Sequence, residues 1–393
     1  MNALVLNAEN RTAEQQRISP PVPAANELLV KVIAISLNPI DPLYVQNPLA
    51  SSGRVIGSDF AGVITRTGPS VPTSTGLKEG DRVAGFLQGA CSVNERPGAF
   101  AEFLTVPWDL VWRVTSGISI DEAVGVSLVG LTAAQAIWYR LGLTTPFPYD
   151  PKDILEEHPE WKIGSPTDEH DTAPVNFFIY GASTSVGLFA AQMVRLSAKA
   201  SNKTFRLFGT ASKARWEMLR AEPYVYDYLV DYLDDDWPEQ IQKLADGGGM
   251  HYTYDCISEG DTVERTASIL AKNGRSAIVR SREGGAWKGE GLPVEPIYGA
   301  VWEGLGEEVQ YQGFTVKQSP AARGFAVAFY KWLSVALGCE LRPIPIRLMP
   351  GGLKNVVEDG FQLLGAGGMK DRHVKRTEEW MRPVSAEKLV YRI

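Results

Sequence analysis

Phe177-Phe178-Ile179-Tyr180-Gly181-Ala182-Ser183-Thr184-Ser185-Val186-Gly187 decides the fold class of this 393-residue chain. Four apolar residues make a short buried strand, a glycine follows at once, and the next residues open a helix carrying Phe189, Ala190, Met193 and Leu196. A strand ending in a glycine turn aims the open N–H groups and positive end of the next helix at one point, where a pyrophosphate is held. Gly181 makes the turn, and Gly187 lets helix and strand pack closely. Thr184 and Ser185 replace the usual middle glycines of G-x-G-x-x-G, so their hydroxyls are expected to bond phosphate oxygens. The plain alternative is a tight strand–helix turn without a ligand.

Downstream the pattern repeats. Strands are expected at 175–180, 204–209, 228–231 and 251–256, with helices at 184–198, 212–221 and 237–245 between them. Such alternation predicts right-handed βαβ units and a parallel, doubly wound sheet. The second strand runs into Thr210-Ala211-Ser212-Lys213-Ala214-Arg215. An enzyme specific for NAD carries an Asp or Glu there for the ribose 2′-hydroxyl. This chain offers a hydroxyl and two cations instead, the chemistry that accepts a 2′-phosphate, so NADPH is the expected cofactor. A helix start decorated with exposed basic residues is the alternative.

Upstream, 28–37 reads as a strand, and the next hundred residues alternate short apolar runs with Gly, Pro and Asn turn signals, a β-rich half. Residues 121–142 take helical spacing, with Gly125, Gly130 and Gly142 as interruptions or ends. The stretch 144–173 is Pro-rich and acidic and reads as a surface loop or boundary. The tail returns to short strands around a helix at 352–364 and closes on Lys388-Leu389-Val390-Tyr391-Arg392. The expected organisation is a β-rich catalytic domain over 1–143, completed by 342–393, a polar insertion over 144–172, and a cofactor domain over 173–341.

Length and composition agree with two folded domains: 44% hydrophobic, 22% charged, net charge −7. No basic run tracks a nucleic-acid backbone, and no apolar stretch approaches the roughly 20 residues of a membrane span. The start Met1-Asn2-Ala3-Leu4-Val5-Leu6 lacks a secretory pattern, so a cytoplasmic location is expected. Cys91, Cys256 and Cys339 are odd in number and widely spaced, as reduced thiols are. His158, His170, His251 and His373 fall in polar loops or at a strand start, poor positions for a zinc site. No metal is expected.

Taken in order, Asn38-Pro39-Ile40-Asp41, Gly57-Ser58-Asp59-Phe60-Ala61-Gly62, Gly80-Asp81-Arg82-Val83, Gly98-Ala99-Phe100-Ala101-Glu102, the Gly181–Gly187 turn, Tyr254-Asp255-Cys256-Ile257 and Glu387-Lys388-Leu389-Val390 carry a resemblance. The chain resembles the medium-chain dehydrogenase/reductase superfamily in its zinc-free, quinone-oxidoreductase-like branch, and more narrowly the fungal trans-acting enoyl reductases that serve polyketide synthases. The fold this implies is α/β, a GroES-like β-rich catalytic domain plus a Rossmann domain with a doubly wound parallel sheet. Zinc members carry a Cys in the first segment and a His-Glu pair in the second, where this chain has Ile40, Asp41, Ser58 and Asp59.

By the same resemblance the nicotinamide lies between the lobes, near Ile40, Asp41, Pro42, Leu43, Val279, Arg280, Val390 and Tyr391. Ser183, Thr184, Ser185 and Val186 hold phosphates, Ser212, Lys213, Ala214 and Arg215 the 2′-phosphate, and Tyr232 the adenosine side. Thr132, Ala133, Ala134, Gln135, Ala136, Ile137, Trp138 and Tyr139, with Gly299, Ala300, Val301, Trp302 and Glu303, match positions that line an acyl pocket. Core packing is the alternative for Trp138, Tyr139 and Trp302. The implied reaction is conjugate reduction of an enoyl thioester. Some relatives place a Lys where Leu43 stands, which leaves Tyr44 as the candidate proton donor, with solvent protonation open beside it. The implied partners are an acyl-carrier-bound intermediate and its synthase, with the chain itself a monomer. The 144–173 loop and the charged insertion Gly367–Pro383 either touch that synthase or are solvated. A free-standing quinone or enone reductase and a non-catalytic NADPH-binding partner remain as competing functions.

Overall fold

A computed structural model describes residues 1–90, 95–161, 173–311, 314–372 and 375–393. Cys91, Ser165-Pro166, His170 and His373 lie outside the described residues. The chain divides into two compact units. The first comprises Met1–Leu128, Leu305–Gln318 and Ala326–Ile393, the second Val129–Gly304 and Ser319–Phe325.

The second unit is built on a parallel sheet in the spatial order Tyr228–Val230, Phe205–Thr210, Val175–Tyr180, Met250–Asp255, Leu270–Ile278, Ile297–Tyr298. Numbered along the chain this is 3-2-1-4-5-6, the doubly wound order. The switch point falls between Val175–Tyr180 and Met250–Asp255, so chain direction alone brings Gly181 and Cys256 to one edge of the sheet. Apolar side chains close one face: Phe178 lies parallel to the Trp237 indole with ring centroids 5.4 Å apart, joined by Phe208, Val230, Ile241 and Met250. Expected and observed elements agree to within about three residues along 175–256, except that the helix expected at 212–221 is a 3₁₀ turn, Lys213–Arg215, followed by the short helix Trp216–Arg220.

The first unit is a β-structure in the order Ile346–Met349, Lys388–Arg392, Glu27–Ser36, Asp59–Thr67, Arg82–Phe86, Val111–Arg113, with Phe103–Pro107 also paired to Glu27–Ser36. The C-terminal strand adds antiparallel beside Ser36, with Val390 opposite it. At Gly62 strands Glu27–Ser36 and Asp59–Thr67 approach so closely that a Cβ would lie 2.1 Å from the Lys31 carbonyl oxygen.

Three expectations need correction. The helix read over 121–142 breaks at Gly125, which ends Ile120–Val124, and resumes as Ser127–Ala134 before widening into a π-helical turn, Gln135–Arg140. From Val129 onward this segment belongs to the second unit, because the Trp138 indole donates to Ser197 Oγ at 2.7 Å on helix Ser185–Ser201. The loop at 144–173 contains the helix Lys152–Glu157, and Glu157 accepts from Ser319 Oγ at 2.6 Å and the Ala321 amide at 2.8 Å. The tail helix over 352–364 is a 3₁₀ turn, a π turn and a three-residue α segment. Pro320–Ala336 forms a 17-residue helix to which the sequence reading assigned no element.

Gly62→Ala should lower unfolding stability by about 1–3 kcal/mol through overpacking against backbone. Gly117→Ala, where a Cβ meets nothing within 4 Å, should stay within about 0.5 kcal/mol of the parent in the same urea titration.

Candidate functional site

Two constellations carry the chemistry, one in each unit. In the second unit, Gly181 takes φ of +75° and gives its amide to Thr210 Oγ1 at 3.0 Å, while the Ala182 amide bonds the Thr210 carbonyl. A Cβ on Gly187 would stand 2.4 Å from the Gly181 carbonyl oxygen, so only glycine permits this packing of helix on turn. Thr184 is the N-cap. Its hydroxyl donates to the Gly181 carbonyl at 2.8 Å and accepts from the Gly187 amide at 3.0 Å. The expected phosphate bond from Thr184 Oγ1 is therefore corrected: this hydroxyl is consumed in building the turn. The amides of Ser185 and Val186 remain at the open end of a 17-residue helix, with no intrahelical acceptor. Together with Ser183 they fit a pyrophosphate.

One strand over, Ser212 precedes the 3₁₀ turn Lys213–Arg215, and Lys213 and Ala214 are exposed. Lys213 has no ion pair among the described residues. Tyr232, 45% exposed, follows the third strand. On the other side of the switch, Asp255 is fully buried and closes its own turn. It accepts from the Ile257 and Ser258 amides at 2.8 and 2.7 Å and from Thr262 Oγ1 at 2.6 Å. Burial pushes its carboxyl up to about 6. Ser258 then accepts from the Val279 amide at 3.1 Å, and Arg280 pairs with Glu259 at 2.6 Å, which fixes the Val279-Arg280 segment beside the switch. Cys256 is buried, and its thiol is pushed up by that burial.

Of the acyl-pocket candidates, Ala133, Ala134, Gln135, Ala136, Ile137, Trp138 and Tyr139 are buried, as are Ala300, Val301 and Trp302. Thr132, Gly299 and Glu303 keep partial exposure. Trp138 packs edge-on to Phe147, and Tyr139 packs against Phe325. Arg140, which sequence reasoning passed over, joins the two segments. It pairs with Glu303 at 2.7 Å, and its guanidinium fills the space where a Cβ on Gly299 would stand.

In the first unit, the positions expected to lack metal ligands form a buried polar network. Asp59 Oδ2 accepts from Ser36 Oγ at 3.0 Å, Asn38 Nδ2 at 2.8 Å and Lys388 Nζ at 3.0 Å, and its Oδ1 accepts from the Leu128 amide at 3.0 Å. Lys388 Nζ also donates to Asn38 Oδ1 at 2.6 Å. Asn38 Nδ2 and Ser58 Oγ continue the chain to Asp41, whose Oδ1 accepts from Ser58 at 2.9 Å and Oδ2 from the Asn38 amide at 2.7 Å. Asp41 sits in helix Ile40–Gln46, where Pro42, Leu43 and Tyr44 are also buried and Ile40 is half-buried. Burial, reinforced by Asp59, pushes the Asp41 carboxyl up to about 7 against the bonds from Asn38 and Ser58 and the attraction of Lys388. Val390 and Tyr391 are fully buried in the strand that carries Lys388. Sequence reasoning quoted Asn38, Asp59 and Lys388 within motifs but missed that they meet, since 329 residues separate the last two.

The two described histidines make other contacts. His158 stacks on Trp161 at 3.8 Å, and His251 accepts from the Asn176 amide. Among the described residues no group of three His, Cys, Asp or Glu side chains is placed to hold a metal ion, and no helix is long and apolar enough to cross a membrane.

Comparisons with known proteins agree with this architecture. Residues 24–116 match the alcohol dehydrogenase GroES-like domain family. The chain is 27% identical to the trans-enoyl reductase traG of Penicillium crustosum over 368 residues, 91% of each chain. The solved CurK enoyl reductase superposes with a TM-score of 0.66 at 17% identity, covering 100% of this chain and 98% of that one. A mycobacterial protein solved with NADPH superposes with a TM-score of 0.62 at 18% identity over the full length of both.

Lys388→Met strands the buried Asp59 carboxylate and should cost about 3–5 kcal/mol of stability, with Asp59→Asn/Lys388→Met recovering part of the loss, read from urea midpoints. The Asp41 carboxyl is held above its unfolded value near 3.9, so it binds more protons folded than unfolded between about pH 4 and 7. Stability should fall as pH rises through that window, and Asp41→Asn should flatten the slope.

Proposed function

We propose that this chain, a member of the medium-chain dehydrogenase/reductase superfamily and an oxidoreductase acting on carbon–carbon double bonds, is a trans-acting enoyl reductase. Its reaction is saturation of the α,β double bond of a polyketide enoyl thioester with NADPH, in secondary-metabolite biosynthesis. The observation that carries the acceptor is likeness to trans-enoyl reductases along 91% of both chains. The cofactor reading rests on the open helix end at the switch point and on the cations of the neighbouring turn.

NADPH, when bound, supplies the hydride. The chain's own part is binding and alignment. The amides of Ser183, Ser185 and Val186 and the helix end hold the pyrophosphate, with Gly181 and Gly187 letting it approach. Ser212, Lys213 and Arg215 hold the 2′-phosphate, and no carboxylate among 210–215 competes for the ribose hydroxyls. Tyr232 covers the adenosine. In the second unit Val279 and Arg280 are held toward the nicotinamide by Ser258 and Glu259. In the first unit the Asp59–Lys388 network fixes helix Ile40–Gln46, with Asp41, Pro42 and Leu43, and the strand that carries Val390 and Tyr391. Thr132, Gly299 and Glu303 are the partly exposed positions left to meet an acyl chain. Rate enhancement then comes from orientation and water exclusion. The partner is a carrier-bound acyl chain with its synthase, the chain acting as a monomer in the cytoplasm.

Purified protein should consume NADPH with 2-enoyl thioesters or carrier-bound enoyl chains. Turnover of small quinones with no response to either thioester would mark a free-standing quinone reductase, and NADPH binding without hydride transfer to any acceptor would mark a non-catalytic partner. Lys213→Ala/Arg215→Ala should weaken NADPH about 10–100-fold and NADH little, measured by fluorescence titration; equal losses would remove the 2′-phosphate role.

A further inference from the structure

Arg17-Ile18-Ser19-Pro20-Pro21-Val22-Pro23 leaves strand Thr12–Arg17 and leads toward strand Glu27–Ser36, all within the first unit. Proline fixes its own φ and drives the residue before it out of the helical region. Ser19, Pro20 and Val22 each precede a proline, so almost every torsion of 19–23 is set to the extended, left-handed polyproline II form. The structure agrees: residues 19–23 belong to no helix or strand, and their backbone makes no hydrogen bond among the described residues. Both ends are tied. Met1 and Ile18 exchange backbone bonds of 2.7 and 2.9 Å, and the Ala24 amide donates to Glu27 Oε2 at 3.0 Å.

About three residues per turn bring residues three apart to one edge of such a segment. Ile18 and Pro21 form the half-buried edge, Ile18 resting on Ala3, Val5, Val55 and Ala101. Ser19 and Val22 form an exposed edge, Val22 at 77%. Arg17 and Pro20 are exposed on the third, where Pro23 keeps partial exposure. Arg17 makes no hydrogen bond or ion pair among the described residues. The chain thus turns one edge inward and presents Arg17 with the pairs Ser19-Pro20 and Val22-Pro23 to solvent, already extended.

We propose that Arg17–Pro23 is a docking site for a partner domain with an aromatic-lined proline groove and an acidic pocket at one end, the chemistry of an SH3 domain. Two subsites of the groove take Ser19-Pro20 and Val22-Pro23, stacking on the pyrrolidine rings, and the acidic pocket takes the Arg17 guanidinium. Chain order fixes the orientation, because Ala24-Ala25-Asn26 offers no cation beyond the last proline. None of the residues assigned to the cofactor or the acyl chain lies in this segment.

The probes are two purified SH3 domains, one selective for ligands with Arg ahead of the prolines and one for the reverse order, titrated calorimetrically into the full chain, Pro20→Ala/Pro23→Ala, Arg17→Glu and a free peptide of residues 14–26. The full chain should bind the first domain at least as tightly as the peptide does, because the segment is ordered before binding. Each variant should bind roughly tenfold or more weakly while keeping the parent's melting temperature, since the substituted groups make no internal hydrogen bond. Arg17→Glu keeps every proline, so its loss of binding cannot come from a loosened segment. Absence of saturable binding by the full chain at about 1 mM domain, binding of the peptide but not the full chain, equal binding by parent and variants, or preference for the second domain would each overturn the proposal.

Discussion

The first unit depends on one buried charge. Asp59 has no exposure, and a carboxylate taken out of water survives only where donors and an opposite charge surround it. Ser36, Asn38, Leu128 and Lys388 provide them, and they come from four separate segments. Each donor that reaches Asp59 therefore fixes the place of its own segment: the end of strand Glu27–Ser36, the loop before helix Ile40–Gln46, the start of helix Ser127–Ala134 and the C-terminal strand. A purely apolar contact would tolerate sliding by a residue, but a donor aimed at one oxygen sets register as well as proximity.

The consequence reaches Asp41 through Asn38 and Ser58. The Asn38 side chain donates to Asp59 and to Ser58 Oγ and accepts from Lys388, while Ser58 Oγ and the Asn38 backbone amide donate to the Asp41 carboxyl. The seven-residue helix Ile40–Gln46 has no side-chain cap of its own, so its position is imposed by this network rather than by local propensity. Burial, reinforced by the neighbouring Asp59 carboxyl, pushes the Asp41 carboxyl up to about 7.

What the sequence disclosed follows from which interactions are local. The parallel sheet was legible because each βαβ unit announces itself within about 30 residues, and Gly181 and Gly187 mark where backbone approaches backbone. The network around Asp59 was not, since Asp59 and Lys388 lie at opposite ends of the chain and nothing near either names the other. Reading Asp41 and Asp59 only as residues standing where zinc members carry ligands said nothing about the network they build. The helix Pro320–Ala336 and the π turn at Gln135–Arg140 escaped for a related reason. Apolar spacing shows that a helix is buried, but the widening at Gln135 and the tie between Arg140 and Glu303 arise from packing against segments more than 100 residues away.

Thr184 shows how a departure from a motif can preserve its physics. The middle glycines of the usual loop let backbone amides approach a phosphate. Here the Thr184 hydroxyl closes the turn by bonding both the Gly181 carbonyl and the Gly187 amide, which takes one open donor of the helix out of use. The same cap holds Ser185 and Val186 rigidly at the helix end, so the two amides that remain are oriented before any anion arrives. Fewer donors held in place can serve as well as more donors on a mobile glycine loop, because the entropy of ordering them has been spent on folding rather than on binding. The chain thus makes this turn from side-chain hydrogen bonds while two amides stay open at the helix end.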